Sequence, residues 1–316
     1  MRIKIKKWQY FLMLAFLGYF TSCNKKKGTH LASQSKIDTT AIKYIPPPIP
    51  ISIRDTPQSI DYLAEHYWDS ISFTDTIYLH TRDMIEQTWC NYCYLLCKVS
   101  PSVASKSIKR MIKSADAARP MFKRIVELAE KYLYDPNSPM RNEDHYILIL
   151  QQIVNSTSLN DTEKIRPKEQ LKLAMKNRYG QKANNFRYTL ASGQKSYLYQ
   201  IKAEFVLIFF NNPGCHACRE TISYLKQAPA VNQMFDSGKL KILSLYTDDE
   251  IDYWRKHLNE FPKQWICAYD KEMRIRDKQV YDLKAIPTLY LLNNKKIVLL
   301  KDATPQQVEN YLQTHQ

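Results

Sequence analysis

The sequence predicts two folded parts: a mainly α-helical N-terminal domain and an α/β C-terminal domain with a central mixed sheet flanked by helices. Two observations lead to this prediction. Glycine is absent between Gly28 and Gly180, and apolar residues recur there at helical spacing, which disfavours tight-turned β structure. After Gly180, short apolar runs alternate with helical stretches, as is typical of layered α/β domains. The chain has 316 residues, enough for two domains of ordinary size.

The first 22 residues have the parts of an export signal. A basic segment, residues 2–7, precedes an apolar run over residues 8–20 that is too short for a typical membrane span. The run ends in Phe20-Thr21-Ser22-Cys23, which resembles a bacterial lipobox with Phe20 in place of the usual leucine. We expect residues 1–22 to be a lipoprotein signal peptide and Cys23 to be lipidated. The alternative is an ordinary secretory signal or anchor with an incidental cysteine.

Residues 23–50 are expected to form the lipidated cysteine and a proline-rich tether. Residues 24–28 are polar, and the prolines within residues 46–50 favour an extended polyproline II backbone. Such a tether would space the folded part from the lipid head groups. The expected location is the bacterial cell envelope, lipid-anchored and facing the periplasm, so that the membrane is a partner through the anchor.

The charge balance bears on the class of partner. The formal net charge is +15, and a basic balance can indicate nucleic acid or an anionic membrane surface. The basic residues are scattered, with no basic stripe interleaved with aromatic residues, and an exported protein rarely meets nucleic acid. We therefore expect a solvated basic surface close to a membrane and no nucleic-acid partner.

Residues 51–178 are predicted to form the helical domain. Residues 134–139 contain two prolines and several turn formers, which indicates a break between helices. Asn142 follows this break and is a candidate N-cap for the next helix. The helical stretches are predicted over residues 61–68, 83–99, 105–112, 121–133, 142–149 and 170–177.

Residues 179–316 are predicted to form the α/β domain. Residues 205–210 are a continuous apolar run of the kind that forms a strand buried on both faces. Residues 240–246 predict a second strand, and a hairpin across Asn293-Asn294 would join two more, over residues 288–292 and 296–300. Helices are predicted over residues 218–226, 249–258 and 304–312.

The chemistry is concentrated in Cys215-His216-Ala217-Cys218, which follows the first buried strand and opens a helix. At a helix N-terminus, free backbone N–H groups and the macrodipole favour a thiolate on Cys215. The two-residue spacing lets both cysteines exist as a disulfide or a dithiol with little backbone movement. Zinc ribbons also use this spacing, but a zinc site needs a second ligand pair, which Cys267 alone does not supply. We therefore expect no metal.

A second motif lies downstream, at Ile286-Pro287-Thr288 before an apolar strand. Proline is disfavoured at the start of a central strand, but it fits a cis-proline loop beside the active cysteines. With both motifs in this order, the sequence resembles the thioredoxin-like superfamily over residues 179–316, in particular its membrane-tethered TlpA/ResA-type branch. The resemblance implies that Cys215 attacks, Cys218 resolves, and the Ile286-Pro287-Thr288 segment binds an extended substrate.

The same resemblance predicts two details outside the motifs. Residues 180–200 fit the lead-in of that branch, expected as a β-hairpin. The stretch from Cys218 to Pro287 is also long enough for about one extra α/β unit.

Two positions depart from the family pattern. Gly214 stands where thioredoxin has a tryptophan, and Phe209 stands where it has a buried acidic residue. The usual proton acceptor for the resolving thiol is thus missing, and Glu220 is the acidic residue near enough in the sequence to replace it. His216 between the cysteines is expected to stabilise the Cys215 thiolate and make the disulfide more oxidising. The alternative is that His216 is an exposed polar residue without a role.

The helical half also resembles a known family. Residues 62–68 and 132–143 are similar to an uncharacterised helical domain that precedes thioredoxin-like domains in bacterial envelope lipoproteins. That resemblance implies an architecture and no activity, and we expect the turn over residues 135–143 to be structural.

Three further cysteines, Cys90, Cys93 and Cys97, share one face of a predicted helix. They are open to three interpretations: a second redox pair, a metal site, or small apolar residues in a helix–helix interface. Cys267 is expected to be a core residue of a strand.

Together these features predict a thiol–disulfide oxidoreductase. Its partners would be protein thiols or disulfides in the envelope and an unidentified electron-donor or electron-acceptor protein. No cofactor is expected beyond the redox-active disulfide of Cys215 and Cys218. A non-catalytic lipoprotein is the alternative, in which the helical domain binds a partner and the thioredoxin-like domain is a scaffold.

Overall fold

The computed structural model describes residues 42–315, which belong to one compact unit. The predicted signal peptide (residues 1–22), Cys23 and most of the tether lie outside the described residues. The helical half contains α1 (Thr56–His66), α2 (Ile77–His80), α3 (Arg82–Leu96), α4 (Pro101–Asp116), α5 (Arg119–Ala129), α6 (Glu143–Asn155) and α7 (Asp161–Ala174). A π-helical turn, Glu130–Tyr134, extends α5.

Side-chain caps fix where several of these helices begin. The side chain of Ser100 accepts a hydrogen bond from the start of α4, with Pro101 in the first turn. Asn160 and Glu163 form a reciprocal capping box on α7. Asn142 caps α6 by accepting from the backbone N–H of His145, at 3.0 Å. The predicted role of Asn142 is thereby confirmed.

The core of the helical half is aromatic. Trp68, Trp89 and Tyr92 are buried and pack against one another with ring centroids 5.6–6.3 Å apart. The Tyr92 hydroxyl lies 2.7 Å from the hydroxyl of Ser107, so its polar end is satisfied within the core. Tyr44, near the end of the predicted tether, donates a hydrogen bond to the Tyr67 carbonyl at 2.6 Å. The last residues before the helical half are therefore docked onto it.

The C-terminal half is built on a seven-stranded mixed sheet in the order β2-β1-β5-β4-β3-β6-β7. The pairs β3–β4 and β4–β5 are parallel, and the remaining pairs are antiparallel. The strands are β1 (Arg187–Leu190), β2 (Lys195–Tyr197), β3 (Phe205–Asn211), β4 (Leu240–Tyr246), β5 (Ile266–Tyr269), β6 (Thr288–Asn293) and β7 (Val298–Lys301). The predicted central mixed sheet is confirmed.

Helices cover this sheet on the side that carries Phe205, Leu207 and Phe209, where an apolar cluster joins sheet and helices. The alternate residues of β3 pack into a second cluster on the opposite face, which contains Tyr281 and Tyr290. The helices of this half are α8 (His216–Gln227), α9 (Pro229–Asp236), α10 (Ile251–Lys256), α11 (Arg274–Asp277) and α12 (Pro305–Thr314). Residues of α8, α9 and α12 belong to the first cluster, whereas Ile275 of α11 belongs to the second. The central strand β3 is buried along its whole length, as its apolar run predicts.

Both predicted details of the branch are present. β1 and β2 form an antiparallel hairpin ahead of the sheet. The extra unit is β5 followed by α11, inserted between β4 and the proline loop. Cys267 lies on β5 and packs against the sheet cores, so its assignment to a strand is confirmed.

The two halves meet through a cluster of buried charges. The ammonium of Lys284, whose side chain is 4% exposed, lies 2.8 Å from the Glu143 carboxylate of the helical half and 2.9 Å from that of Asp282. Lys301 also pairs with Glu143, at 2.8 Å. Burial disfavours the charged form of Lys284, but the surrounding carboxylates outweigh this effect and raise its pKa. The start of α6 is thus tied to the segment that leads into Pro287.

Across residues 42–315, helices of the length and apolarity required to cross a membrane are absent.

Candidate active site

The two cysteines of the motif lie between the end of β3 and the first turn of α8. β3 ends at Asn211, and Cys215 is the N-cap residue of α8. The backbone N–H of Cys218 donates to Cys215 Sγ at 3.2 Å. Cys215 therefore has the predicted position at the positive end of a helix dipole, where a thiolate is stabilised.

The cis-proline loop lies beside this sulfur. The Ile286–Pro287 peptide bond is cis, and Cys215 Sγ is 3.9 Å from the carbonyl oxygen of Ile286. Ile286 and Pro287 are partly exposed, so the loop presents backbone next to the thiol. The two sequence motifs, 71 residues apart, meet where β3 ends and the neighbouring strand β6 begins, as expected.

The two thiols have different environments. Cys215 is partly exposed, whereas Cys218 is 2% exposed beneath the first turn of α8. Burial raises the pKa of the Cys218 thiol to about 12, and its contact with Cys215 contributes to the rise. Cys218 is therefore held as a neutral, shielded thiol, while Cys215 is only partly buried.

Neither Phe209 nor Glu220 places a carboxyl group beneath Cys218. Phe209 is buried and packs edge-on against Trp265, with ring centroids 6.1 Å apart. The Glu220 side chain is largely exposed, and its carboxylate lies 3.6 Å from Nδ1 of His216. Glu220 is therefore not a buried proton acceptor, because it follows the outer face of α8.

His216 occupies the same outer face, with its side chain 78% exposed. This exposure agrees with the alternative of a surface residue, and the influence of His216 on Cys215 stays a prediction.

Gly214 is explained by a residue that the sequence did not single out. Its φ is +76°, and a Cβ at this position would lie 2.7 Å from the hydroxyl oxygen of Tyr253. Tyr253 projects from α10, is 41% exposed and packs on His257 with ring centroids 4.2 Å apart. An aromatic ring thus lies against the active-site turn, although it comes from a distant helix. The glycine in place of tryptophan is the signal that could have indicated such a neighbour.

Two asparagines before the motif also belong to the site. The Asn211 side chain is fully buried and donates to Ser244 Oγ and to the Phe209 carbonyl, both at 2.8 Å. The Asn212 side chain donates to the Asp248 carboxylate at 2.5 Å. These bonds fix the turn to the end of β4, and neither was predicted because both depend on the pairing of β3 with β4.

Cys90 and Cys93 of α3 and its C-cap residue Cys97 do not form a comparable site. Cys93 lies in the helical core, and burial raises the pKa of its thiol; Cys90 is partly buried and Cys97 is exposed. All six cysteines within residues 42–315 are free. That part of the chain also contains no group of three or more His, Cys, Asp or Glu side chains arranged to hold a metal. The structure favours the packing interpretation for Cys93.

The fold and the paired motifs define a thioredoxin-like α/β domain with a dithiol at the start of a helix, fused to a helical domain. Residues 203–298 match the family described as thioredoxin-like, and residues 22–177 match a family described as a domain of unknown function, DUF5106. A crystal structure of a thioredoxin-like protein from Bacteroides caccae is 52% identical and has a TM-score of 0.85. The match covers 88% of this chain and all of that one. The chain belongs to the thioredoxin-like family.

Two further solved structures each match a little under half of the chain. The C-terminal domain of an uncharacterized protein from Bacteroides fragilis is 58% identical, with a TM-score of 0.43, over 43% of this chain and 98% of that chain. The thioredoxin domain of a thiol-disulfide oxidoreductase from Bacteroides vulgatus is 22% identical, with a TM-score of 0.39, over 44% of this chain and 97% of that chain. No curated protein matches the chain.

Proposed function

We propose that the protein is an envelope-anchored thiol–disulfide oxidoreductase that acts on periplasmic protein substrates through Cys215 and Cys218. One observation carries the proposal. The sulfur of the partly exposed Cys215 caps α8 within 3.9 Å of the Ile286 carbonyl, while Cys218 is buried one turn further into the helix. This arrangement separates an attacking thiol from a resolving thiol.

The reaction would begin when the Cys215 thiolate attacks a substrate disulfide. A bond forms between Cys215 and one substrate sulfur, the substrate S–S bond breaks, and the second substrate sulfur leaves as a thiolate that takes up a proton. Cys218 then loses its proton to solvent and attacks the Cys215 sulfur. A bond forms between the two cysteines, the bond between Cys215 and the substrate breaks, and the first substrate sulfur leaves as a thiolate that takes up a proton. The substrate gains two electrons and the dithiol becomes a disulfide; run in reverse, the same steps oxidise a substrate dithiol.

The first step changes the environment of Cys218. Burial is the main reason for its raised pKa, but the hydrogen bond and charge of Cys215 also contribute. A mixed disulfide carries no charge on Cys215, so those contributions disappear. The pKa of Cys218 then falls at the stage when its thiolate is needed.

The loop of Ile286 and Pro287 would hold the substrate by strand addition. Both residues are partly exposed beside the sulfur. Thr288 is buried, and its hydroxyl donates to the Ala285 carbonyl at 2.6 Å. We therefore propose contacts with substrate from Ile286 and Pro287, with Thr288 holding the turn that presents them.

Envelope anchoring is part of the proposal and is supported by the sequence of the first 23 residues alone. Lipidation of Cys23 would keep the dithiol close to a membrane, where an electron-donor or electron-acceptor protein would exchange with it. No cofactor is needed, because the dithiol itself carries the two electrons.

A redox titration of the full-length chain tests the proposal. We expect one two-electron couple, because Cys215 and Cys218 exchange between dithiol and disulfide. Cys215→Ala should abolish the couple, and Cys97→Ala, at an exposed cysteine distant in sequence, should keep it. A wild-type chain without an accessible couple would favour the non-catalytic alternative.

A further inference from the structure

A cavity of about 310 Å³ adjoins the cis-proline loop. Its walls come from the loop after β4, from α11 of the inserted unit and from the segment leading to Ile286. Leu173 of α7 adds a wall from the helical half. The cavity is therefore formed jointly by both halves of the protein, at the edge of the sheet that carries the dithiol.

Ile286 belongs both to this cavity and to the active site. Its carbonyl lies 3.9 Å from Cys215 Sγ, and the residue also lines the cavity. A substrate strand rises about 3.3 Å per residue. A side chain within about two residues of the substrate cysteine can thus reach the cavity while the cysteine meets Cys215.

The chemistry of the walls favours a long cationic side chain. Ile275 and Leu283 supply apolar surface that can pack against an aliphatic stem, and Asp248 supplies a carboxylate. The other acid, Asp282, is already paired with Lys284 at 2.9 Å. Asp248 Oδ2 accepts the hydrogen bond from Asn212, whereas Oδ1 faces the partly exposed Arg276 at 3.5 Å. Oδ1 of Asp248 is therefore the oxygen to which a bound cation would pair.

The neighbour of Asp248 shows that a guanidinium fits there. Arg276 Nη1 lies 3.5 Å from Asp248 Oδ1, while Arg276 Nε is closer to Asp277, at 3.1 Å. Arg276 is about half exposed, so a substrate cation can displace it without breaking a buried ion pair. Two further acidic residues, Asp249 and Glu250, follow Asp248 and add to the negative potential.

We propose that this cavity is a specificity subsite that binds a lysine or arginine side chain within about two residues of the substrate cysteine. This inference rests on the proposed function and names the substrate class. The overall basic charge of the chain does not prevent such binding, because exposed charges are screened beyond about 8–10 Å at physiological ionic strength.

The test uses full-length Cys218→Ala, in which the reaction stops at the mixed disulfide. The probes are short peptides whose single cysteine is disulfide-bonded to thionitrobenzoate. Attack by Cys215 on the peptide sulfur forms the protein–peptide disulfide, breaks the probe disulfide and releases coloured thionitrobenzoate. Lysine or glutamate is placed in turn one and two residues before and after the cysteine. The rate of the variant lacking both Cys215 and Cys218 is subtracted.

We expect lysine to react about 10-fold faster than glutamate in at least one position, since attraction replaces repulsion at Asp248. Asp248→Asn should bring this ratio close to one. Asp249→Asn is the matched control, because it removes the same charge from the adjacent exposed residue that does not line the cavity. It should keep most of the ratio.

Two results would overturn the subsite and leave the proposed function intact. One is equal rates for all peptides, or a ratio that Asp248→Asn leaves unchanged. The other is a preference for glutamate, which would show that Arg276 binds acidic side chains of the substrate in this cavity. If Cys215 reacts with none of the peptides, the proposed function itself fails, and the subsite with it.

Discussion

At the scale of single residues, Cys215 and Cys218 show how three positions along a chain can change the chemistry of one side chain. Cys215 caps α8 and is partly exposed, whereas Cys218 is 2% exposed. Burial raises the pKa of Cys218 to about 12. The spacing of the motif predicts this difference, because one turn of helix separates an end from an interior.

Alkylation against pH tests this difference. At pH 8, iodoacetamide should modify Cys215 quickly and Cys218 slowly, because the Cys218 thiol is buried and neutral. Since its pKa is raised by folding, the stabilisation from the neutral thiol is present below the ordinary thiol pKa and is lost as the pH rises toward about 12. Mass spectrometry of the modified peptides measures both rates. Equal rates at pH 8 would contradict the assigned roles.

The close approach of Tyr253 to Gly214 predicts a cost for any side chain at position 214. Its φ of +76° is unfavourable for alanine, by about 1–2 kcal/mol, and the new Cβ would also meet the Tyr253 hydroxyl at 2.7 Å. Gly238 has the same φ with nothing within 4 Å, so Gly238→Ala measures the backbone cost alone. Urea unfolding of both variants should show Gly214→Ala as the more destabilised, with Tyr253→Phe reducing the excess.

An equal loss in both glycine variants would show that Tyr253 moves aside without cost. Its ring is partly exposed and lies at the end of a flexible side chain, so the excess should stay well below the backbone cost. The sequence could not predict this contact, since Gly214 and Tyr253 lie on different elements that only the folded sheet brings together.

At the scale of elements, buried ion pairs between the two halves fix the segment that precedes the cis-proline loop. Lys284, three residues before Pro287, pairs with Glu143 at the start of α6 and with Asp282. Loss of one member leaves uncompensated buried charge, which typically costs about 3–5 kcal/mol. The turn over residues 135–143 ends at Glu143. Its structural role is therefore to position Glu143 for the ion pairs with Lys284 and Lys301.

Lys284→Met tests whether the buried charge cluster stabilises the fold. We expect it to lower the free energy of unfolding by about 3 kcal/mol, because Asp282 and part of the charge on Glu143 lose their partner. The matched control is Lys106→Met, at an exposed pair whose N–O distance is 3.7 Å and whose lysine side chain is 71% exposed. That variant should change stability by about 0.5 kcal/mol or less. Similar urea midpoints for the two variants would contradict a stabilising role of the buried ion pairs of Lys284.

The elements themselves were predictable to different degrees. The apolar runs of β3 and β4 predict their bounds closely, because a fully buried strand has a clear sequence pattern. The short helices α2 and α11 have four residues each and carry no periodic signal. α9 was missed because it follows α8 after a single residue, Ala228, although Pro229 at its start is a helix signal.

The candidate site divides in the same way. Cys215, Cys218 and Pro287 were predictable because each belongs to a local motif. Asp248, Arg276 and the wall from Leu173 were not, since their contribution depends on how the inserted unit and the helical half pack around the sheet edge. A local motif identifies the reactive residues, whereas the residues that surround them are determined by long-range contacts in the fold.

At the scale of the whole molecule, the helical half contacts the loop beside the dithiol, and the proposed anchor would place both near a membrane. Cys23→Ala tests the anchor, because acylation of Cys23 is the proposed link to the lipid. We expect this variant to leave the membrane fraction or to stay unprocessed, while Cys97→Ala stays with the membrane. Cell fractionation with mass measurement distinguishes the outcomes. A mature, acylated Cys23→Ala protein would contradict lipidation at Cys23.

Capture of substrates in the native cell tests whether Cys215 is the attacking thiol and Cys218 the resolving thiol. Cys218→Ala removes the resolving thiol, so exchange should stop with the partner bound to Cys215, and a non-reducing gel should show high-mass adducts that disappear on reduction. Cys215→Ala should show few or none, and the double variant none. Adducts that persist without Cys215, or that map to Cys90 or Cys93, would contradict the assignment of the active site.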